Sequence, residues 1–366
     1  MDKVPRPEEH IVSAILLKEF CVNILKRLQV PQDEAQITAA VLVSADLRGI
    51  ESHGVSRLPR YAKRLMNGWM RSKAKMVIKR ETPISIYIDA ENSIGQVVAY
   101  RTMERCIEKA KKSYICFASV TNSNHFGIAG YYAMMALQHN MIGICMSNAW
   151  PLVVPTFGIN PILGTNPIAI AVPSLKEKSF VLDMASSVVP IGKMEVYRRH
   201  KKAVPVGWAI DEKGNPALDA ETVMRCVYKS NRGGLLPLGG LEETAGYKGY
   251  GLAMLIDILS GILPAASFGP HVGSPEDPRP SNIGHFMGVI DINAFTPVDE
   301  FKERMDGLIQ TVKESTKADS QNRIFVHGEK EFELEDEYKK KGIPLYYKVW
   351  ENLENLADQV GVEFPL

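Results

Sequence analysis

The sequence predicts an α/β protein of α+β-like organisation, with helices at both ends of the chain and most strands in its middle. Apolar residues recur at helical spacing near the N-terminus, and a charged helical tail begins at about residue 298. Short runs rich in β-branched residues lie between these ends. With 366 residues the chain is longer than one hydrophobic core usually organises, so we expect two domains or one domain with a large insertion.

The first third begins with two helices and ends with two strands and a third helix. The stretch EEHIVSAILLKEFCVNILKRL has apolar residues at helical spacing, and DEAQITAAVLVSADL resumes with an Asp-led first turn. After a dense polar stretch come two short β-rich runs, MVIKRE and ISIYIDA. Acid-to-base pairs along QVVAYRTMERCIEKAKKS favour a helix with a solvated outer face.

The middle of the chain is predicted to mix strands and helices. The most apolar helix, KGYGLAMLIDILSGIL, is expected to pack in the core, and PHVGSPEDPRPSNIGH has the composition of a long surface loop. The run FMGVIDINAF is typical of a buried strand. The other strand candidates are ICFASVTN, MIGICMSN, PIAIAVPS and SFVLDMA.

Composition argues against several classes of partner. Formal net charge is +1, so no global field attracts nucleic acid or a membrane surface. The longest apolar run is too short to cross a bilayer, and the N-terminal MDKVPRPEEH lacks the apolar core of a signal peptide. The five cysteines are scattered and never form CxxC, so we expect free thiols and a cytoplasmic location.

The usual dinucleotide fingerprint, GxGxxG after a strand, is absent from the sequence. The nearest match, GYGLAM at residues 249–254, has Met254 in the third glycine position and follows no evident strand. Glycines that let helices pack closely explain this match better than a nucleotide does. If a nucleotide binds, it binds without a standard Rossmann turn.

The polar stretch DLRGIESHGVSRLPRY contains the first candidate site. His53 titrates near neutrality and can give or take a proton, and Ser52 can orient its ring. If this segment is helical, Arg57 shares a face with His53, and its two-pronged guanidinium can grip a carboxylate. From this stretch alone, a catalytic group and a solvated cationic helix end both remain open.

The second candidate site is His125 in the stretch TNSNHFGIAG. Small polar residues precede a helix start there, and the amides of NHFGIAG have few side chains to obstruct them. Such a helix N-terminus is a natural anion site. Contact with a phosphate or a substrate and a merely exposed ring at a capped helix start both remain open.

Further polar residues follow strand ends, where loops often present ligand-binding groups. Thr165 in GTNP and Asp183 in LDMASS can hydrogen-bond a ribose or an amide, although each is also a routine turn residue. The basic run RRHKKAVPVGW permits contact with a 2′-phosphate, but a solvated charged face is the commoner explanation. No HExxH or comparable spacing occurs, so we expect no metal.

Six segments occur in one order along the chain: ADLRGIESHGVSRLPRY, NSNHFGIAGYYA, ILGTNPIAIAVP, LDMASSVVPIGKMEVYRR, VPVGWAIDEKGNP and GGLLPLGG…GYKGYGLAML. Together they resemble the malate/L-lactate/L-sulfolactate dehydrogenase family. This non-Rossmann group also includes ureidoglycolate dehydrogenase and piperideine-2-carboxylate reductase. The resemblance covers about residues 10–360, and VVPIGKMEVYRR and RIFVHGEKEF look most like its archaeal-type malate dehydrogenase branch.

The resemblance implies an oxidoreductase that moves a hydride between NAD or NADP and C2 of a small 2-oxo or 2-hydroxy acid. It implies a non-Rossmann NAD(P)-binding domain with a largely antiparallel mixed sheet, and a helical domain formed by both chain ends. We therefore predict a helical domain of residues 1–75 joined by 300–366, and a cofactor-binding and substrate-site domain of residues 76–299. The family is typically a homodimer whose partner subunit can border the active site.

Individual site residues carry over motif by motif. His53 is the favoured proton donor and acceptor, oriented by Ser52, although His125 has this role in the ureidoglycolate-type branch. The residues predicted to bind substrate are Arg48, Arg57, Thr165 and Lys193. The residues predicted around the cofactor are His125, Phe126, Gly127, Ile128, Ala129, Asp183, Met184, Ala185, Arg323, Gly328 and Glu329.

Lys193 departs from the family pattern, because some members place an aspartate near PIGKM to complete a relay with the Ser–His pair. A lysine there suits a second substrate carboxylate instead, so we predict oxaloacetate and malate as the substrate pair. Sulfopyruvate/sulfolactate, ureidoglycolate or a cyclic imino acid are the alternatives within the family. A non-catalytic nucleotide-binding protein is the remaining alternative, which the intact Ser52, His53, Arg57 and His125 disfavour.

Overall fold

The computed structural model describes residues 9–365, and the described chain begins with a helical region. Ser13 caps the first helix, because its hydroxyl accepts a hydrogen bond from the backbone amide of Ile15. The first three helices are α1 (Ala14–Arg27), α2 (Gln32–Leu47) and α3 (Leu58–Met66). Two 3₁₀ turns, Glu51–His53 and Val55–Arg57, lie between α2 and α3.

A seven-stranded mixed sheet forms the centre of the molecule. In spatial order its strands are β2 (Val77–Thr82), β3 (Ser85–Asp89), β4 (Ile115–Ser123), β10 (Ile283–Asp291), β5 (Met141–Ser147), β6 (Ile168–Val172) and β7 (Phe180–Met184). All neighbouring strands are antiparallel except β3 and β4, which run parallel and are joined by helix α4 (Gly95–Ser113). The largely antiparallel mixed sheet is therefore confirmed.

The two ends of the described chain meet in a small sheet and a shared core. Strand β1 (Glu9–Val12) pairs antiparallel with β11 (Ile343–Tyr346), which lies between helices α10 (Glu329–Lys341) and α11 (Tyr347–Val360). The buried side chains of this core come from both ends, with Leu17, Phe20, Ile24 and Leu25 clustered with Leu353, Leu356 and Ala357. A helical region formed by both chain ends is thus confirmed, whereas the residue boundaries given for the two domains stay a prediction.

A second core lies between the sheet and two helices, and a third core lies around two other helices. Helix α4 and helix α5 (Ala129–Met135) cover one face of the sheet, where Ile88, Met103, Val120 and Tyr132 are buried. A third core gathers around helices α6 (Ile191–Arg199) and α7 (Ala220–Lys229) and the short strands β8 (Ala209–Ile210) and β9 (Gly234–Leu235). Helix α9 (Val298–Glu314) is held by Asp306, whose carboxylate accepts hydrogen bonds from three backbone amides between β6 and β7.

Helix α8 (Gly246–Asp257) and the π-helical turn Ile258–Ile262 that continues it differ from their prediction. The apolar content predicted a helix that packs in the core, but Leu255, Ile258 and Ile262 are 49%, 47% and 51% exposed. The buried face instead carries small residues. A Cβ at Gly249 would lie 2.1 Å from the carbonyl oxygen of Leu238. The helix therefore packs closely through small residues and Ile256, while several of its other large residues are exposed.

The structure also bears on compartment and metal. No helix within residues 9–365 is long and apolar enough to cross a membrane. No group of three or more His, Cys, Asp or Glu side chains in that range is arranged to hold a metal ion. The cysteines are all buried free thiols: Cys21, Cys106, Cys116, Cys145 and Cys226.

Candidate active site

A deep cleft lies where the N-terminal end of α3, the segment that follows β4, and the α6–α7 region meet. It contains about 1070 Å³ of space outside the protein atoms, part of it open to solvent. Among its walls are six residues that the sequence predicted: His53, Arg57, His125, Phe126, Gly127 and Thr165. Residues more than 100 positions apart are thus brought together as predicted.

His53 and His125 face each other in this cleft. Their ring centroids are 5.5 Å apart and their planes are inclined by 24°. The hydroxyl of Ser52 lies 2.8 Å from His53 Nδ1, which leaves Nε2 as the ring nitrogen available to a ligand. Ser52 therefore holds the orientation of His53 that the motif implied.

The turn that carries His53 rests on a buried carboxyl group. Asp46 Oδ2 accepts a hydrogen bond of 2.8 Å from the amide of Val55, and a Cβ at Gly54 would lie 1.9 Å from Asp46 Oδ1. Burial raises the pKa of Asp46 to about 8. Only glycine at position 54 lets the SHG turn lie this close to Asp46, so the turn fixes the backbone beneath His53.

His125 is held by a tyrosine that the sequence stretch contained but to which no role was assigned. The Tyr61 hydroxyl lies 2.6 Å from His125 Nδ1, and the amide of Gly127 donates to the same nitrogen at 3.4 Å. Burial raises the pKa of Tyr61 to about 12, so the phenol keeps its proton and can donate. With two donors aimed at Nδ1, the neutral His125 ring carries its proton on Nε2, toward the cleft.

A fully buried histidine behind the cleft was missed by the sequence reasoning. His285 on β10 lies within 2.9 Å of the Ser147 hydroxyl through Nδ1 and 2.8 Å of the Ser123 hydroxyl through Nε2. The ring of Phe126 stacks on it at 4.5 Å, with planes only 4° apart. His285 thereby anchors the segment that presents His125. Burial lowers the pKa of His285 to about 3, so the ring stays neutral.

The two facing histidines are also neutral near pH 7. Burial, followed by the charges of Arg57 and Arg60, lowers the pKa of His53 to about 4. Burial, followed by His53 and the same arginines, also lowers the pKa of His125 well below its ordinary value. A neutral imidazole can accept a proton, so His53 is ready to act as a base.

Arginines line the cleft, and among residues 9–365 no aspartate or glutamate does. Arg57 donates from Nε to the backbone carbonyl of Ser52 at 2.5 Å, which holds the rest of its guanidinium near His53. Arg64 instead donates to the backbone carbonyls of Trp69, Pro275, Asp277 and Arg279, so its role is structural. The positive lining suits an anionic ligand.

A second cavity, of about 730 Å³, lies at the other end of the segment 125–130. Asp183 Oδ2 accepts a hydrogen bond of 2.8 Å from the amide of Gly130, and a Cβ at Gly130 would lie 2.6 Å from the same oxygen. Burial raises the pKa of Asp183 to about 6. The residues predicted for substrate or cofactor that line this cavity are Arg48, Asp183 and Gly328.

The sequence profile of the malate/L-lactate dehydrogenase family matches residues 12–354. The chain belongs to this family. It is 49% identical to a malate dehydrogenase of Pyrococcus horikoshii over 348 residues, 95% of this chain and 94% of the relative. It is 32% identical over 320 residues to an Escherichia coli protein named ureidoglycolate dehydrogenase (NAD(+)), 87% of each chain. A solved malate dehydrogenase of Entamoeba histolytica has a TM-score of 0.94 at 35% identity, covering 98% of this chain and 100% of that one.

Several predicted residues of this dehydrogenase lie away from the cleft, among them Arg48, Arg323 and Glu329. Arg48, expected near substrate, lies in the second cavity, where Nη1 pairs with Glu335 at 3.1 Å and the guanidinium covers the Phe332 ring. Arg323 and Glu329 pair with each other at 2.8 Å and belong to an ion network outside both cavities.

Lys193 also lies outside the cleft of the dehydrogenase. Its ammonium lies 5.7 Å from the centre of the Tyr197 ring, and the residue lines a neighbouring groove together with Ser52, another predicted site residue. This position gives no support to its predicted contact with substrate. Gly192, next to it, packs closely on the His53 turn, since a Cβ at Gly192 would lie 2.8 Å from the Ser52 Cβ.

The remaining predicted cofactor residues continue the wall between the two cavities. Ile128 and Ala129 are buried where α5 begins, and Met184 and Ala185 are half-buried at the end of β7. Gly328 has φ +91° and lies against Val181 on β7, whose amide donates to the carbonyl of His327. The tail motif of the dehydrogenase is thus docked on the sheet edge that carries Asp183.

Proposed function

We propose that this protein is an NAD- or NADP-dependent oxidoreductase that interconverts a small 2-oxo acid and its 2-hydroxy acid. The pair favoured is oxaloacetate and malate. The observation that carries the proposal is the neutral His53 beside Arg57 in a cleft with a positive lining. The names of the relatives from Pyrococcus horikoshii and Entamoeba histolytica support malate.

In the proposed oxidation, His53 accepts the hydroxyl proton of the 2-hydroxy acid at Nε2. Arg57 binds the C1 carboxylate and so fixes the hydroxyl against that nitrogen. The nicotinamide supplies hydride transfer at C2 when the cofactor is bound. In the reverse direction, protonated His53 returns the proton to the oxygen, and both cationic groups stabilise the negative charge that develops there.

The residues between the two cavities fit a nicotinamide dinucleotide. Its charged phosphates need amides or cations, and its ribose hydroxyls need acceptors. In the second cavity, Arg48 and Lys330 are the cations available to the phosphates, and Asp183 and Glu331 are the acceptors available to the ribose hydroxyls. The segment 125–130 connects this cavity to the cleft that contains His53. We propose that this segment, rather than a glycine-rich Rossmann turn, borders the cofactor.

His53 is the proposed acid–base group, and His125 is proposed to contact the nicotinamide. Ser52 holds His53 through Nδ1, and Tyr61 and Gly127 hold His125 through its own Nδ1, so both rings present Nε2 to the ligand side and the position of Arg57 has to separate their roles. Arg57 is adjacent in sequence to the His53 turn. The carboxylate it binds would therefore place the substrate oxygen nearer to His53.

We propose that the functional unit is a homodimer that contacts through the exposed face of α8. Net charge is +1, so burial of apolar surface is the available driving force for self-association. The apolar residues of this face are Tyr247, Met254, Leu255, Ile258, Ile262 and Leu263. The same helix is tied to the cleft, because Asp257 accepts a hydrogen bond of 2.9 Å from Asn148. The five buried free thiols support a location in the reducing cytoplasm.

The test is a steady-state panel that follows oxidation of NADH and of NADPH. Oxaloacetate, pyruvate, sulfopyruvate and a cyclic imino acid are offered as substrates in turn, and ureidoglycolate is offered with the oxidised cofactors. We expect the highest kcat/KM with oxaloacetate, and the panel also decides between the two cofactors. Measured NADH binding without turnover of any of these substrates would favour a nucleotide-binding protein instead.

A further inference from the structure

Arg60 lies in the active-site cleft without a bonded partner. Its half-buried side chain lines the cleft with Arg57 and Tyr228. Within residues 9–365, no carboxylate pairs with the Arg60 guanidinium and no group accepts a hydrogen bond from it. Arg64, about one helical turn further on, differs from it, because the two terminal nitrogens of Arg64 donate to four backbone carbonyls. Arg60 is thus a cation held inside a ligand cavity.

The local electrostatics around Arg60 are unfavourable in the absence of an anion. Arg57 is the N-cap of α3 and Arg60 is in its first turn, where the helix dipole is positive and no acidic residue is present. Burial and then the neighbouring Arg57 charge lower the pKa of Arg60. Repulsion between these two cations, and between each cation and the positive end of the helix dipole, is destabilising. Locally unfavourable arrangements of this kind are typical of functional sites.

Aromatic side chains line the cleft together with Arg60. Tyr228 comes from α7 and lies 5.4 Å from the Trp150 ring, centroid to centroid, and both residues line the cleft. A phenol can donate a hydrogen bond to an anionic group that a guanidinium also binds. Arg57 and Arg60 therefore provide two separate cationic positions along one side of the cleft.

We propose that Arg60, together with Tyr228, binds the second carboxylate of a four-carbon 2-oxo acid and so selects dicarboxylates over monocarboxylates. This proposal rests on the proposed function, in which Arg57 binds the first carboxylate. It assigns to Arg60 the role that the sequence suggested for Lys193, which lies in a different groove.

The experiment compares R60Q, R60K and R57Q with the natural enzyme, using oxaloacetate and pyruvate. R60Q should lower kcat/KM for oxaloacetate about 10- to 100-fold, the usual effect of losing a hydrogen bond to a charged group. With pyruvate the loss should be under about threefold, since pyruvate lacks the second carboxylate. R60K should recover part of the oxaloacetate activity, whereas R57Q should lower both. R105Q, on the exposed side of α4, is the matched control and should change neither.

Binding to the enzyme with NADH separates this proposal from the proposed function. Calorimetric titration with malonate and acetate needs no turnover, so it decides the role of Arg60 even if no 2-oxo acid is reduced. Tighter malonate binding that R60Q abolishes, without change in acetate binding, supports the proposal. The proposal would be overturned if R60Q, with an unchanged Tm, lowered kcat/KM equally for oxaloacetate and pyruvate or weakened malonate and acetate binding equally. It would also be overturned if R60Q changed none of these quantities.

Discussion

The imidazole rings of His53 and His125 lie 5.5 Å apart with their planes inclined by 24°. Each ring is fixed by a different hydroxyl, that of Ser52 for His53 and that of Tyr61 for His125. The two histidines therefore offer the same nitrogen, Nε2, but differ in the hydroxyl that holds Nδ1. Because of this difference, their roles can be separated by mutation.

His53→Ala should lower kcat for malate oxidation about 10²–10⁴-fold, the usual contribution of a positioned acid–base group. NADH binding, followed by its fluorescence, should remain nearly intact. His125→Ala should instead weaken NADH binding. His139→Ala, at an exposed position, is the control. If His125→Ala removes turnover and leaves binding unchanged while His53→Ala weakens binding, the two roles are reversed.

Tyr61→Phe tests whether the orientation of His125 matters. The change removes one hydrogen bond to Nδ1, and we expect a loss of about two- to tenfold in kcat/KM, from the net energy of such a bond. Tyr87→Phe is the matched control, since its hydroxyl donates to the Pro264 carbonyl at 2.8 Å away from the cleft. Unchanged kinetics in Tyr61→Phe, or an equal loss in both variants, would contradict a specific role for Tyr61.

The lowered pKa of His53 predicts the pH profile of malate oxidation. The neutral ring is the active form in this direction, and it is retained until pH falls to about 4 rather than to the ordinary value of 6.5. As pH falls from 8 to 5, kcat/KM should therefore stay nearly level, and its decline should begin only below about pH 5. Rate measurements with overlapping buffers check this, and a decline centred near pH 6.5 would show that the catalytic group is not shifted downward.

Gly54→Ala should destabilise the protein, because its Cβ would overlap the Asp46 carboxyl group. We expect the free energy of unfolding to fall by about 1–3 kcal/mol, as for overpacked cores, with a loss of kcat because the His53 turn shifts. Gly307→Ala is the control, since nothing lies within 4 Å of a Cβ there. Denaturant unfolding of both variants measures the difference. Equal stability in the two would mean that the turn relaxes without strain.

Ile258→Asp should convert the proposed dimer into a monomer, because it places a charge in the apolar face of α8. Light scattering after size-exclusion chromatography measures the mass directly. Leu308→Asp is the control, since Leu308 is 59% exposed on α9, away from this face. A natural protein that is monomeric at micromolar concentration, or a variant that stays dimeric, would contradict the assignment of this face.

The sequence predicted elements well where a pattern is local. Helical spacing located α1, and alternating apolar runs located the central strands, because both depend on neighbours a few residues apart. The prediction for α8 was wrong in one respect. An apolar content on every side predicts burial, but it cannot distinguish burial within one chain from a face left exposed on that chain.

Part of the candidate site could be predicted because some of its residues are close together in the sequence. His53, Ser52 and Arg57 lie within six residues, so their chemistry is visible in one stretch. His285 could not be found, because its contacts to Ser123 and Ser147 depend on β10 lying between β4 and β5. Strand order of this kind is a long-range property that no single segment encodes. Lys193 was suggested by its place in a motif, and its contact with substrate stays a prediction, although the residue lines a neighbouring groove.

The pairing of β1 with β11 joins residues 9–12 to residues 343–346. During synthesis the N-terminal helices leave the ribosome long before the strand and helix that complete their core. We therefore expect the central sheet to form first, while α1 and α2 remain loosely packed until the last residues emerge. Packing of the turn that carries His53, which follows α2 directly, is accordingly coupled to synthesis of residues 343–360.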